Sequence, residues 1–456
     1  MNVQQVDIVI IGAGLTGLTA GFYLTRRNKK VLLIEAQNRT GGQIHTFEKD
    51  GFVYESGPNT GVISNPEVAE LFEALAEGCR LEVAHEGAKR RLIWKGKRFH
   101  DLPSGPIGGL FTPLFSFTDK FRILGEPWRK KGTDPNESIG SLAARRLGKS
   151  FVDYAVDPFL SGVYAGDPMN LTTRYALPKL YRLEQDYGSF IKGSIAKAKQ
   201  PKSARDLKAT KQVFSVTGGL SRLTEALEKA IGIDRFLLNA QHTTVMPQAN
   251  GSWLVTTQNP EGEQTVEAKQ VLTTTGAYTL PALLPFIDKQ EMDKISSLCY
   301  APVIQVSVGI KSTDQTLYNA FGGLVPSCEK RNVLGILYPS ACFSQRTPAN
   351  SVLFSFFIGG VKHADMLQKS DEEIRELVRK ECAHMLQLPQ GSDIRLIEIF
   401  RHTHAIPQYR QDSGDRLATI DALEKKYPGL TLAGNLKDGI GMADRIRQGS
   451  ILGNSL

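Results

Sequence analysis

Cysteine is scarce in this chain. The five that occur, Cys79, Cys299, Cys328, Cys342 and Cys382, are odd in number, scattered and never at a CxxC spacing. That argues against a disulfide framework and against a zinc site, and it fits a reducing compartment. Long apolar runs are missing too: no stretch of about 20 uninterrupted apolar residues occurs, so the chain is not expected to span a membrane. The apolar segment 6–24 is broken by three glycines, with no charged region before it and no small-residue cleavage site after it, and so does not read as a signal peptide. Internal repeats are absent. What is present is the composition of a soluble globular protein, at a length of 456 residues that suits two or three domains.

Charge is uneven. The net is +8, yet residues 85–131 hold 11 Lys and Arg against 4 acids, and residues 192–211 hold 7 against Asp206 alone. These two segments carry the whole excess. They read either as attraction to an anionic surface or ligand, or as solvated cationic loops.

The segment "VDIVIIGAGLTGLTAGFYLTRRNKKVLLIEA" reads as strand, turn, helix, strand. A continuous β-branched run, 6–11, suits a strand buried on both faces. Gly12, Gly14 and Gly17 make G-x-G-x-x-G, for the tight turn, the close approach of a pyrophosphate and the packing of helix on strand. The helix start, Leu15 and Thr16, offers free N–H groups and a positive dipole end. Glu35 ends the second strand, followed by Ala36, and a carboxylate there accepts from a ribose diol and repels a 2′-phosphate. The pattern implies FAD or NAD rather than NADP.

Further along, residues 52–55 read as a short strand before Gly57, Pro58 and Asn59, which are candidate cofactor-binding residues, and 66–77 as a helix with Asn65 as a cap. "RRLIWKGKRFHDLP" has two strand-like halves, and short helical patterns follow to about 196. Residues 134–147 show a helix capped by Asn136 or Ser138. Segment 186–210 is polar, an exposed helix or mobile loop. Residues 242–257 form a hairpin with an Asn250-Gly251 turn, strands alternate from 303 to 360, and 372–386 is helical.

"EAQNRTGGQIHT" resembles the signature that follows the first βαβ unit in amine-oxidase-like flavoproteins, which implies FAD, with Arg39, Gly41, Gly42 and Gln43 at the pyrophosphate. "FGGLVPSCEKRNVLGILYPS" (321–340), "VDPFLSGVYAGDP" (156–168) and "AGNLKDGIGMADRIRQG" (433–449) are similar, in the right order, to blocks of the protoporphyrinogen oxidase family. Two departures stand out: Gln43 where amine oxidases have arginine, and Met442-Ala443 in place of a proline-containing tail. No cysteine lies beyond Cys382, so one noncovalent FAD per chain is expected.

That resemblance implies an α/β (α+β overall) architecture in three parts. A GxGxxG Rossmann-like FAD-binding domain would take 1–80, 213–280 and 418–456. An antiparallel-sheet substrate domain would take 81–95, 196–212 and 281–417, and a helical membrane-associating insertion 96–195. It further implies that Val245 meets the adenine, that Thr275 rejoins the cofactor sheet, and that Gly434, Gly439, Ile440, Gly441 and Met442 cover the flavin ring. The activity implied is removal of six electrons from protoporphyrinogen IX, or from coproporphyrinogen III, with dioxygen reduced to hydrogen peroxide. A flavin amine oxidase and a non-catalytic porphyrin carrier are the rival classes. The flavin carries the chemistry, so no catalytic side chain and no metal are expected. Arg91, with Arg90 or Arg98 as alternatives, would hold a propionate. Leu324, Leu337 and Phe357 would sandwich the macrocycle beside Phe321, with Gly162 near the flavin; each apolar position could equally be sheet core.

The stretch 108–123, "GGLFTPLFSFTDKFRI", falls in the helical part. Its aromatics lie near Lys120, Arg122 and the cluster 129–131. It reads as a surface lying on an anionic membrane or as the inside of the helical part. The expected location is cytoplasmic, peripheral to a membrane. The resemblance leaves open a homodimer and contact with the next haem-pathway enzyme, and implies no nucleic acid.

Overall fold

The structure, a computed structural model, describes residues 4–311, 313–388 and 392–456. The N-terminal β-branched run forms strand Gln4–Ile11, and Gly12 at φ +102° turns the chain into helix Leu15–Arg26. Strand Val31–Ile34 returns parallel to the first. Both belong to a seven-stranded sheet, parallel to Phe236–Leu237, Gly262–Thr273 and Leu430–Leu432. Gly262–Thr273 changes partner along its length. It pairs antiparallel with Trp253–Asn259, then parallel with Leu430–Leu432. Trp253–Asn259 and Gln241–Pro247 form the expected hairpin. Alternate residues of the first strand enter two cores. Ile8 and Ile10 pack with Leu18, Leu227 and Ile446 from three helices, and Val9 and Ile11 pack with Leu280, Ile295 and Ile420. Burial on both faces is why the strand is apolar throughout.

A second seven-stranded sheet has the order Asp393–Pro407, Tyr300–Lys311, Ser351–Gly359, Gly335–Leu337, Gly322–Leu324, Arg91–Lys95, Arg98–Asp101. It is antiparallel except that Gly322–Leu324 and Arg91–Lys95 run parallel. The sheet is therefore mixed, not purely antiparallel. Residues 91–101 come from far upstream, and no hairpin turn dictates how they join the edge. Both strands of that hairpin lie in this sheet, so a boundary at 95/96 cuts a paired unit. Leu81–Val83 instead pairs with Val213–Val216, whose Phe214 and Val216 belong to the first core.

Most of 106–207 is helical. Helix Ile139–Leu147 starts at Ser138, whose Oγ accepts from the Ser141 N–H, so Ser138 and not Asn136 is the cap. Asn65 is the N-cap residue of helix Pro66–Leu75, its carbonyl accepting from the Val68 N–H, but its side chain makes no capping bond and its Nδ2 donates to the Ala443 carbonyl. A π-turn, Val152–Val156, joins Lys149–Phe151 to helix Asp157–Tyr164. Segment 186–210 contains helices Phe190–Ala198 and Ala204–Leu207, the second tied to Pro66–Leu75 by Arg205 on Glu67 and Glu70. The phenylalanine-rich stretch divides. Leu114 and Phe115 are buried, with Phe115 stacked on Phe151 at 3.8 Å, whereas Phe111, Phe117 and Phe121 are exposed. Among the described residues no helix is long and apolar enough to cross a membrane.

Candidate active site

Backbone builds the first half of the site. A methyl group at Gly17 would lie 2.0 Å from the Gly12 carbonyl oxygen, so turn and helix touch there. Gly14 is the N-cap and faces open space: nothing lies within 4 Å of where its Cβ would be. The helix has no side-chain cap, so the N–H groups of its first turn and its positive dipole end meet that space unopposed. Helix Met442–Ser455 lies alongside. Gly449 packs on Thr16 and Gly453 on Ala20, so contacts advance together and both N-termini lie at the same end. Open volume, unpaired donors and two aligned dipoles fit the pyrophosphate of a dinucleotide.

Side chains then shape the rim. Glu35 is buried; its Oε2 accepts from the Ala13 N–H at 2.8 Å and its Oε1 from the Gln37 N–H at 3.0 Å. Each oxygen keeps a lone pair for a ribose hydroxyl. The Ala36 carbonyl accepts from Gln241 Nε2 at 2.8 Å. Arg39 donates to the carbonyls of Thr40, Gly42 and Ile44 at 3.0, 2.7 and 3.0 Å. It organises the Gly41-Gly42 loop from within, and the Gly41 N–H fastens that loop to the Ala13 carbonyl at 2.8 Å. Burial pushes the guanidinium pKa down, opposed by the charge of Glu35. Gln43 donates to the His404 carbonyl at 3.2 Å, and its own carbonyl touches Gly57.

Thr275 stands beside Gly12, but the closer group is Thr274, whose Oγ1 donates to the Gly12 carbonyl at 2.8 Å. A run of three threonines gives no sign of which one turns inward. In the last turn, Gly434 and Gly439 have φ +82° and +101°, Ile440 is half-buried, Gly441 is the cap of the last helix and Met442 is buried. Tyr409, a residue the sequence reading missed, donates its hydroxyl to the carbonyls of Asn435 and Gly439, each at 3.0 Å. Val245 is not brought to the cradle: it is wholly enclosed with Trp253 and Val255 in the second core.

Strand register assembles the other half. Directly paired residues share a face of a sheet. One row runs Arg91, Gly322, Leu337, Ser355, Ser307, and the next runs Ile93, Leu324, Gly335, Phe357, Gln305. Arg91, Leu324, Leu337 and Phe357, spread over 267 positions, thus occupy one face. A methyl group at Gly162 would lie 2.4 Å from Leu324 Cδ2, which places helix Asp157–Tyr164 against that face. Phe321 sits at the rim, with the Arg91 guanidinium 5.4 Å from its ring centroid. Arg90 is bidentate on Asp101 and also donates to the Asn319 carbonyl. Arg91, exposed, has no carboxylate partner among the described residues, and Arg98 lies at the far end of the hairpin. Pairing therefore gives Arg90, the alternative, to Asp101 and leaves the preferred Arg91 without a carboxylate partner among the described residues. The two halves meet where Ser355 donates to Asn59 at 2.8 Å and Gln305 to the Glu55 carbonyl at 2.6 Å.

The family model for flavin containing amine oxidoreductases matches residues 15–443. The chloroplastic protoporphyrinogen oxidase of rice, Oryza sativa, is 32% identical, over 96% of this chain and 85% of its own. The chloroplastic enzyme of Nicotiana tabacum is 29% identical, over 96% and 83%. An Exiguobacterium crystal structure, provisionally assigned as a protoporphyrinogen oxidase, superposes with a TM-score of 0.81 at 23% identity, covering 100% of this chain and 99% of its own. The chain belongs to the flavin-containing amine oxidoreductase family, in its protoporphyrinogen oxidase group, and its cofactor is FAD.

Proposed function

We propose that the chain oxidises protoporphyrinogen IX to protoporphyrin IX, with dioxygen as electron acceptor. The observation that carries this reading is the apolar sheet face bearing one unpaired arginine, set directly against the cofactor cradle. Leu324, Leu337 and Phe357 offer a flat apolar wall to a macrocycle and keep water from it. Arg91 at the edge of the wall would take a propionate in a bidentate pair and so fix the ring's orientation. Gly162, against which Leu324 packs, sets helix Asp157–Tyr164 on the edge of that wall. FAD, when bound, supplies the hydride acceptor. No proton donor or nucleophile on the protein is needed. The curated relatives reported above, which carry the name protoporphyrinogen oxidase, support this substrate. Steady-state turnover of protoporphyrinogen IX and coproporphyrinogen III, followed by porphyrin fluorescence, tests it; faster turnover of the tetracarboxylate transfers the reading to coproporphyrin synthesis.

A cytoplasmic, membrane-peripheral location is part of the proposal. Phe111, Phe117 and Trp128 are 78%, 70% and 80% exposed. Nearby, Lys120 donates to the carbonyls of Leu110 and Thr112, and Lys131 to that of Gln185, so these charges meet no carboxylate there. Apolar rings beside uncompensated cations suit the headgroup layer of an anionic bilayer. Phe115 does not belong to this surface, being packed inside on Phe151. Phe111→Asp with Phe117→Asp should release the protein from anionic vesicles, and wild-type protein that never sediments with them refutes the association.

A further inference from the structure

Helix Asp157–Tyr164, which meets the edge of the apolar wall where Gly162 faces Leu324, is fastened at both ends by segments leaving the second sheet. At its start, Asp157 is 6% exposed. Its Oδ2 accepts from the Ser327 N–H at 2.7 Å, and its Oδ1 from the Ser327 hydroxyl at 3.0 Å and from Lys362 Nζ at 2.6 Å. Lys362 also donates to Ser327 Oγ at 3.0 Å, which closes a triangle. At the other end, the Ala165 carbonyl accepts from the Val361 N–H at 2.9 Å. Just upstream, Tyr154 of the π-turn donates to Glu329 at 2.8 Å, so the turn Ser327–Glu329 grips the chain on both sides of the helix start.

Ser327 follows strand Gly322–Leu324 and Lys362 follows strand Ser351–Gly359, the strands that carry Leu324 and Phe357. The ends of two strands of the wall are thus tied to the helix. On the helix, Pro158, Leu160, Ser161 and Tyr164 are buried, whereas Phe159 and Val163, one turn apart beside Gly162, are 41% and 43% exposed. Large apolar side chains left open next to an apolar wall mark two sides of a slot. The π-turn before Asp157 interrupts the regular bond ladder, so the ties and not the upstream helix set where this helix lies. An ion pair as enclosed as Asp157 with Lys362 is nearly neutral in net stability against an apolar substitute; what it supplies is direction.

We propose that Asp157, Ser327 and Lys362 are positioning residues that hold helix Asp157–Tyr164 at a fixed distance from the wall and so set the width of the slot that accepts the porphyrinogen. This deepens the function proposed above and rests on it for the identity of the substrate. None of the three needs to touch substrate or FAD. They act through Phe159, Gly162 and Val163, whose place relative to Leu324 and Phe357 they determine.

The test compares wild-type holoenzyme with Lys362→Met, Lys362→Arg and the double variant Asp157→Asn with Lys362→Met. Lys362→Met should raise the porphyrinogen KM on the order of tenfold and leave kcat within about twofold, the pattern of lost substrate binding. The FAD Kd and the flavin potential should stay at wild type. Amide exchange, read without substrate, should quicken on the order of tenfold over 159–166 and not at all in strand Val31–Ile34. Lys362→Arg keeps the cation and should recover most of the KM. The Lys362→Met variant strands the Asp157 charge and should lower Tm; removing that charge in the double variant should restore Tm while KM stays raised. A KM that recovers together with Tm marks a node that only stabilises and overturns the inference, as does unchanged exchange in Lys362→Met. If Lys362→Met does not fold, Ser327→Ala, which keeps both charges, takes its place. Wild-type protein that binds FAD but oxidises no porphyrinogen would defeat the substrate reading and leave the exchange comparison standing, since it involves no substrate.

Discussion

In the cofactor cradle the working groups belong to the main chain: the first-turn N–H groups beyond Gly14, the turn at Gly12, the loop of Gly41 and Gly42. On the proposed substrate face they are side chains, Arg91, Leu324, Leu337 and Phe357, delivered by four strands that are distant in sequence and adjacent only through pairing. A site made of backbone depends on where a side chain is absent. A site made of side chains depends on register. The first tolerates almost no added atom, and the second should lose function one contact at a time.

The largest effect expected tests the first half of that contrast. Gly17→Ala places a methyl group 2.0 Å from the Gly12 carbonyl oxygen, which is backbone and cannot give way. Helix and turn must part, and the purified protein should retain less than about a tenth of its FAD, the loss expected when several phosphate-binding hydrogen bonds fail together. Absorbance at the flavin bands measures this directly; soluble Gly17→Ala protein with a full complement of FAD would show that the cradle does not depend on that contact.

The helical region that backs the substrate face depends on buried charge. Glu126 and Arg146 are both fully buried and paired at 3.0 Å. Burial pushes the Glu126 carboxyl pKa up, but the Ser189 hydroxyl, the N–H groups of Phe190 and Ile191 and the Arg146 guanidinium outweigh it and hold the carboxyl below its ordinary 4.5. A carboxyl depressed in the folded state contributes stability that is fully present above 4.5 and drains away as pH falls through the folded value. Glu126→Gln leaves Arg146 only the buried Glu184, at 3.3 Å and shared with Arg145, and should lower stability by ~1.5–3 kcal/mol at neutral pH. It should also flatten the acid limb of a pH–stability curve, because one linked proton is gone. Denaturant titrations at several pH values check both, and an unchanged acid limb would remove Glu126 from the account.

These two cases show what could be read without coordinates. The cradle was legible because main-chain geometry writes itself as glycine at fixed spacing, with Glu35 at the end of the next strand. The face was legible only through resemblance, since nothing in the spacing of Arg91, Leu324, Leu337 and Phe357 says that they share two rows. Resemblance favoured Arg91 over Arg90, but nothing in the spacing says that Asp101 takes Arg90. Thr274 was hidden beside Thr275, and Val245 carried no sign that the core would enclose it. Phe115 and Phe117 are two positions apart in a stretch that changes from loop to helix, and one turns inward while the other turns to solvent. The π-turn at Val152–Val156 has no signature in its residues. Each of these depends on contacts made far away along the chain, which local periodicity does not record.

Arg91→Ala probes the second half of the contrast. Loss of one charge-assisted pair at a rim position is worth about 1.5–3 kcal/mol, so the porphyrinogen KM should rise on the order of tenfold to a hundredfold. FAD content and thermal stability should stay at wild type. Arg91→Lys should recover only part, having charge without the planar fork. Arg90→Ala should instead act on stability, through Asp101. If Arg90→Ala raises KM and Arg91→Ala does not, the assignment of the two arginines is reversed.

The smallest effect expected is at Gly162, and it discriminates most finely. A methyl group there would lie 2.4 Å from Leu324 Cδ2, the far end of a flexible side chain, whereas Gly17 meets backbone. Leu324 can rotate away, so Gly162→Ala should fold normally, at a cost of less than about 1 kcal/mol. The displaced leucine no longer lies flat in its row beside Ile93 and Gly335, so KM should rise a few-fold with FAD binding untouched. Leu324→Ala removes the clashing atom and leaves the wall short. The double variant should therefore be less impaired than the sum of the two single ones, a coupling that separates direct contact from independent damage. Strict additivity would mean that Gly162 and Leu324 act on the substrate separately, and the helical wall would then lose its place in the slot.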